Sequence, residues 1–114
     1  TISFGTVHGM YDAQPNLDIE LLKKVKAVTP DTALGIHGGS GVPYDQVRKA
    51  ISAGIRKINY FTVIDTAPAP HLVRMIKEAN QPVNFYKIAD RAMEIMYEKT
   101  VEILRVCKNE AGDH

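Results

Sequence analysis

The sequence predicts an α/β chain built on parallel strands, and three observations predict it. Short apolar runs alternate with segments whose apolar residues recur every three or four positions, the pattern of repeated strand–helix units. Glycines and prolines punctuate the junctions between them. The histidines, the densest glycine cluster and a prominent Asn all fall just past the ends of the apolar runs. In a parallel α/β fold those ends converge on one face, where ligands bind.

Residues 2–7 are mostly apolar and predict a buried strand, followed by a turn at His8-Gly9-Met10-Tyr11. Residues 17–28 predict a helix, with Leu21, Leu22, Val25 and Val28 on one face and Asp18 near its start, where the helix dipole favours an anion. Thr29-Pro30-Asp31 ends it. Residues 33–36 are the second strand, and His37-Gly38-Gly39-Ser40-Gly41 is its loop. Pro43 suits the first turn of the next helix, whose stripe is Tyr44, Val47, Ala50 and Ile51 and whose stop is Gly54. Residues 55–61 are the third strand. Ala67-Pro68-Ala69-Pro70 is expected to interrupt regular structure before a helix over 71–79. A last helix over 86–106 carries an inner stripe of Ile88, Ala92, Ile95, Met96, Ile103, Leu104 and Cys107, and its Met and Tyr residues read as core packing.

Three parallel strands make a poor complete sheet, because both faces need cover and both edges lie bare. The two natural arrangements are a small open sheet and part of an eight-stranded barrel. A whole barrel takes roughly 250 residues, and this chain has 114. It opens directly on an apolar segment, as a fragment or a processed chain would. The expectation is one unit, residues 1–114.

Composition excludes several classes. A formal net charge of +1 gives no electrostatic footprint for nucleic acid or an anionic membrane. No apolar run approaches the roughly 18 residues of a membrane span. The first residues lack the basic and long apolar regions of a signal peptide. A single cysteine, Cys107, excludes an internal disulfide framework and predicts a reduced, intracellular setting.

His8 and His37 follow two successive strands and could share one metal, since neutral imidazole is a common zinc ligand. A catalytic zinc takes three protein ligands, so two histidines do not make a site, and two turn histidines held by hydrogen bonds remain the plainer reading. His71 and His114 have no such context and read as surface residues. The loop from His37 to Gly41 is more informative. Its glycines allow backbone amides to approach a phosphate, and the following helix points its positive end at the loop. A tight strand-to-helix turn without ligand is the competing reading.

Three segments in order carry a family resemblance. Gly5-Thr6-Val7-His8-Gly9-Met10-Tyr11 resembles the zinc-histidine segment of class II fructose-bisphosphate and tagatose-bisphosphate aldolases. Ile36-His37-Gly38-Gly39-Ser40-Gly41 is similar to their second zinc-histidine and phosphate loop. Gly54-Ile55-Arg56-Lys57-Ile58-Asn59, followed by Thr62, resembles their segment that contacts dihydroxyacetone phosphate. The resemblance covers essentially the whole chain. It implies the C-terminal portion of a TIM (β/α)8 barrel, with about three βα units and terminal helices.

By that resemblance His8 and His37 bind a catalytic Zn2+, and Gly9, Gly38, Gly39 and Ser40 hold the phosphate of dihydroxyacetone phosphate. Asn59, Tyr60, Phe61 and Thr62 complete the pocket, and backbone groups near Val7, Gly9, Gly38 and Ser40 can hold a monovalent cation. The implied reaction is cleavage of a ketose 1,6-bisphosphate to dihydroxyacetone phosphate and glyceraldehyde 3-phosphate, with the metal polarising the ketone. The implied partners are a phosphorylated ketose, the N-terminal remainder of the barrel and further copies in a homo-oligomer, in the cytoplasm, with no nucleic acid and no membrane.

Phe61 departs from the family's small or acidic residue, and the Ala67–Pro70 stretch departs from its helical run. The first zinc histidine, the adjacent catalytic aspartate and the proton-transferring acid come from earlier strands in the family. Asp18, Glu20 and Asp31 lie in the wrong place to replace them, so no general acid or base is assigned and the chain alone is expected to be inactive. A non-catalytic phosphate-binding or assembly subunit, and more weakly a self-associating half-barrel, are the readings from other classes.

Overall fold

The structure is a computed structural model that describes residues 3–5 and 15–108. Its centre is a parallel pair of strands, β1 (Leu34–Ile36) and β2 (Ile55–Ile58), with Ile36 opposite Ile58. The register slips by one between Leu34 and Gly35, so that Arg56 has no ladder partner.

Helix α1 (Ile19–Val28) precedes β1. Its start is fixed by Asp18, whose Oδ1 accepts from the Leu21 amide at 2.8 Å. A 3-10 turn (Gly39–Gly41) and α2 (Tyr44–Ser52) make the crossover to β2. Gln46 on α2 ties down the chain before α1: its Nε2 donates to the Pro15 carbonyl and its Oε1 accepts from the Leu17 amide. Gly54 returns the chain from α2 into β2 with φ +116, and a Cβ there would stand 2.9 Å from Lys26 Cγ.

After β2 come α3 (Thr62–Thr66), α4 (Ala69–Glu78) and α5 (Phe85–Cys107). The core lies between the strands and the helices, from Leu17 and Leu22 through Ile36, Val47, Ala50 and Ile55 to Val106. Burying one such aliphatic side chain contributes about 1.5–3 kcal/mol before entropy is counted. The Cα radius of gyration is 17.5 Å, against about 13 Å for a closed domain of this length. The described chain is therefore elongated, with principal-axis extents of 61 × 28 × 24 Å, rather than a closed domain.

Four expectations are corrected. Residues 3–5 of the first expected strand form a bend, and the rest of that strand lies outside the described residues. The third strand stops at Ile58 instead of Phe61, because Asn59 and the residues after it turn away to close on the loop after β1. Ala67-Pro68-Ala69-Pro70 interrupts much less than expected. Pro68 caps α4 and Pro70 sits in its first turn, where no amide hydrogen is needed, so helices continue on both sides. Finally, α5 buries Ile95, Ile103 and Val106, while Leu104 is 54% exposed on the opposite face. Val28 likewise points out from the last turn of α1.

Candidate active site

The candidate side chains among the described residues sit past the C-terminal ends of β1 and β2, and the register explains why they meet. Ile36 and Ile58 are partners, so His37 and Asn59 leave the sheet side by side. The Asn59 amide donates to the Ile36 carbonyl at 3.0 Å, extending the ladder by one bond. Asn59 Nδ2 lies 2.9 Å from His37 Nδ1. As oriented, the amide donates and leaves the ring proton on Nε2. With the amide turned over, Oδ1 accepts from Nδ1–H and directs the Nε2 lone pair outward. That second form is the arrangement of a metal-binding imidazole steadied by an outer partner. His37 is exposed, and this donor chemistry fits one ligand of a zinc-type site. Among the described residues no three His, Cys, Asp or Glu side chains converge on a metal position. His8 and Gly9, the other ligand and cradle residue expected on the first loop, lie outside the described residues, as do Val7 and His114.

The glycine loop is drawn tight over the end of β2. Gly38 is left-handed at φ 74, ψ 42, a backbone that glycine adopts without cost. Gly39 is fully enclosed: its amide donates to the Asn59 carbonyl at 3.0 Å. A Cβ on Gly39 would meet Ile58 Cγ2 at 2.8 Å, the Asn59 carbonyl oxygen at 3.0 Å and Tyr60 Cζ at 3.3 Å. Ser40 is half-buried, and its Oγ accepts from the Phe61 amide at 3.2 Å. The loop and the segment from Asn59 to Thr62 thus form one hydrogen-bonded unit. Thr62 begins α3, and the Phe61 carbonyl accepts from the amides of Ile64 and Asp65. The first amides of a helix have no intrahelical acceptor, and the start of α3 is tied to the loop through the Phe61 amide on Ser40.

Tyr60 is placed differently from its neighbours. Its ring lies under Gly39, and its hydroxyl is buried with no hydrogen-bond partner among the described residues. Burial first, and then the nearby Cys107, push the Tyr60 phenol up to about 12. Tyr44 beside it is raised as well, by burial and then by the Glu102 carboxylate that its hydroxyl meets. Burial also raises Cys107. For Glu102 itself burial opposes ionisation, but hydrogen bonds from Lys99 and Tyr44 outweigh it and hold the carboxyl below its ordinary value. These groups support the loop from below.

A raised phenol favours the neutral form in the fold. Its stabilising effect is complete below pH 10 and is lost as pH rises toward about 12. Melting temperature is therefore expected to fall across that window. Tyr60→Phe removes the unpartnered hydroxyl and should raise the neutral-pH melting temperature, by the equivalent of about 1 kcal/mol, and blunt the alkaline fall. A melting temperature lowered by that substitution would show that the hydroxyl has a partner after all.

Sequence reasoning brought His37 and the 59–62 segment to one face but missed Asn59 as the partner of His37. The signal was present: each residue comes one place after a strand, with one strand–helix unit between them.

Two parallel strands joined by a helical crossover, with a glycine turn and an imidazole just past the strand ends, fit a segment of a (β/α) barrel. A sequence model of the family described as fructose-bisphosphate aldolase class-II matches residues 1–111, and the chain belongs to that family. It is 40% identical over 76 residues, 67% of this chain, to the 6-phospho-5-dehydro-2-deoxy-D-gluconate aldolase of Bacillus subtilis, of which it spans 26%. The X-ray structure of the YdjI aldolase from Escherichia coli K12 superposes with a TM-score of 0.75 at 29% identity, covering 91% of this chain and 37% of that one. A further structure, from Coccidioides immitis, superposes with a TM-score of 0.72 at 23% identity over 93% of this chain and 36% of its own, and bears on the fold alone. The fold is thus the C-terminal portion of an aldolase barrel, and this chain spans well under half the length of these relatives.

Proposed function

We propose that the full-length polypeptide to which this chain belongs is a metal-dependent aldolase that cleaves a phosphorylated ketose to dihydroxyacetone phosphate and an aldehyde. The observation that carries the reading is the closed unit of Gly38, Gly39, Ser40 and residues 59–62 beside the His37–Asn59 pair. A glycine-lined turn and a helix start suit a phosphate, and an imidazole within the same few residues suits a metal. His37 and His8 would hold Zn2+, with Asn59 positioning His37. Bound there, the metal would act as a Lewis acid on the substrate carbonyl.

The chain's own residues supply binding and orientation. Ser40, Gly38, Gly39, Gly9 and Thr62 would hold the phosphate, which fixes the carbonyl relative to His37. Phe61 contributes its backbone to this cradle. Tyr60 contributes support from beneath the loop. Carbonyls near Val7, Gly9, Gly38 and Ser40 would take a monovalent cation. Upstream strands of the same barrel would complete the ligand set and provide proton transfer. The assembly is a cytoplasmic homo-oligomer in this reading. Among the described residues no helix is long and apolar enough to cross a membrane.

The direct test is release of dihydroxyacetone phosphate from fructose and tagatose bisphosphates by the full-length polypeptide, before and after chelation. Loss on chelation and return with zinc is the expected result. A protein that never takes up zinc and never releases the triose would instead be the non-catalytic phosphate-binding or assembly subunit.

A further inference from the structure

Gln46 spends both ends of its side-chain amide on one distant segment. Its Nε2 donates to the Pro15 carbonyl at 2.9 Å, and its Oε1 accepts from the Leu17 amide at 2.7 Å. Pro15 and Leu17 are buried, and Gln46 is half-buried. Both bonds close within the described residues, so further chain packed around them leaves them in place.

The segment that Gln46 holds is itself fastened to residues 4 and 5. The Asp18 amide donates to the Phe4 carbonyl at 2.9 Å. Gly5, at φ +110, lies so close to the segment that a Cβ on it would stand 2.7 Å from the Asn16 carbonyl oxygen. Phe4 and Leu17 share the core. In sequence, residues 6–14 run between these two fastened stretches and include His8 and Gly9.

The start of α1 does not need this tie. Asp18 caps the helix, and Leu17 and Leu22 anchor it in the core. What Gln46 adds is a fixed relation to α2. It stands in the first turn of that helix, directly after the glycine loop, which is closed by the Val42 amide on the Gly39 carbonyl. One side chain therefore fixes the base of residues 6–14 against the loop that begins at His37. The groups of a functional site must be held within about 0.5 Å of their productive positions, so a bond between two ligand-bearing stretches bears on that tolerance directly.

We infer that Gln46 is a positioning residue of the metal site: by holding Pro15 and Leu17 against the first turn of α2, it sets the stretch that carries His8 in register with the loop that carries His37. The inference rests on the aldolase reading above, in which those two histidines hold the metal.

The test uses the full-length enzyme. Gln46→Glu keeps the shape and the bond from Leu17 but turns a carboxylate oxygen toward the Pro15 carbonyl, where only a donor serves. Gln46→Ala removes both bonds. Zinc affinity is measured by competition with a chelator, and the visible absorption of the cobalt(II)-substituted protein reports ligand geometry, each well below the melting temperature. Both variants should bind zinc roughly tenfold or more weakly and shift the cobalt absorption. Leu22→Ala, a core substitution on α1, should lower the melting temperature and leave affinity and absorption as they are in the wild type. Gln46 variants that lose only melting temperature overturn the inference and leave the aldolase reading standing. So does a Leu22→Ala protein whose zinc affinity and cobalt absorption change as much as theirs. A wild-type enzyme that takes up neither zinc nor cobalt overturns both.

Discussion

His37→Ala in the full-length enzyme is expected to lower kcat/KM for ketose phosphate cleavage by about three orders of magnitude. The estimate follows from the several kcal/mol of charge stabilisation that a Lewis-acid metal supplies, at 1.36 kcal/mol per decade. His37 is exposed at the end of β1 and lies outside the buried core, so the substitution should leave the melting temperature of the metal-free protein nearly unchanged. Asn59→Ala provides the graded companion. It removes only the side chain that lies 2.9 Å from His37 Nδ1, and loss of such an outer partner typically costs about 10–100-fold in metal affinity or activity. Zinc content by mass spectrometry and steady-state kinetics on the same preparations check both. Full activity with His37→Ala would remove the metal assignment, whatever the fold.

The second large effect is expected at Gly39. An added methyl would stand 2.8 Å from Ile58 Cγ2 and 3.0 Å from the Asn59 carbonyl oxygen. The Ile58 contact can yield by a side-chain adjustment, but the carbonyl belongs to the backbone and accepts the Gly39 amide itself. The loop must therefore move. Overpacking of this kind costs about 1–3 kcal/mol of stability. The functional cost is larger, because a shift near one ångström in a positioning group can lower a rate about a hundredfold. Gly39→Ala should thus raise KM for the phosphorylated substrate and lower kcat/KM by about that factor, with only a modest fall in melting temperature. An unchanged KM would show that the loop is a structural turn and holds no phosphate.

The two substitutions separate what two readings of one loop predict. A hydrogen-bonded turn without ligand would tolerate His37→Ala and suffer from Gly39→Ala only in stability. A metal-and-phosphate site would suffer in turnover from both.

Much of the fold was legible in the sequence because its signals are local. The stripes of α1 and α2 placed Leu22, Val47 and Ala50 in the core, as the structure has them. The positions of His37 and Asn59 past two strand ends implied that they share a face, since parallel strands point their C-terminal ends the same way. The errors have equally physical origins. Ala67-Pro68-Ala69-Pro70 reads as a break when prolines are counted, but a proline costs little in a helix's first turn, and only the actual start of α4 shows that Pro70 stands there. Leu104 and Val106 lie two positions apart on α5 and so point to nearly opposite faces, and only the packing of α5 against α2 shows that the Val106 face is the buried one.

What the sequence determined by itself is the order of the strand–helix units, the glycine loop and the sequence stretch that would carry the chemistry. Those follow from period, turn residues and residue type, all of which are properties of neighbours along the chain. The tertiary structure decided that Asn59 is the partner of His37, that Tyr60 turns inward while Phe61 turns out, and that Ser40 fixes the Phe61 backbone. Each of these depends on the register of β1 against β2 and on how α3 and α5 pack beside them, which are relations across space that residue spacing does not contain.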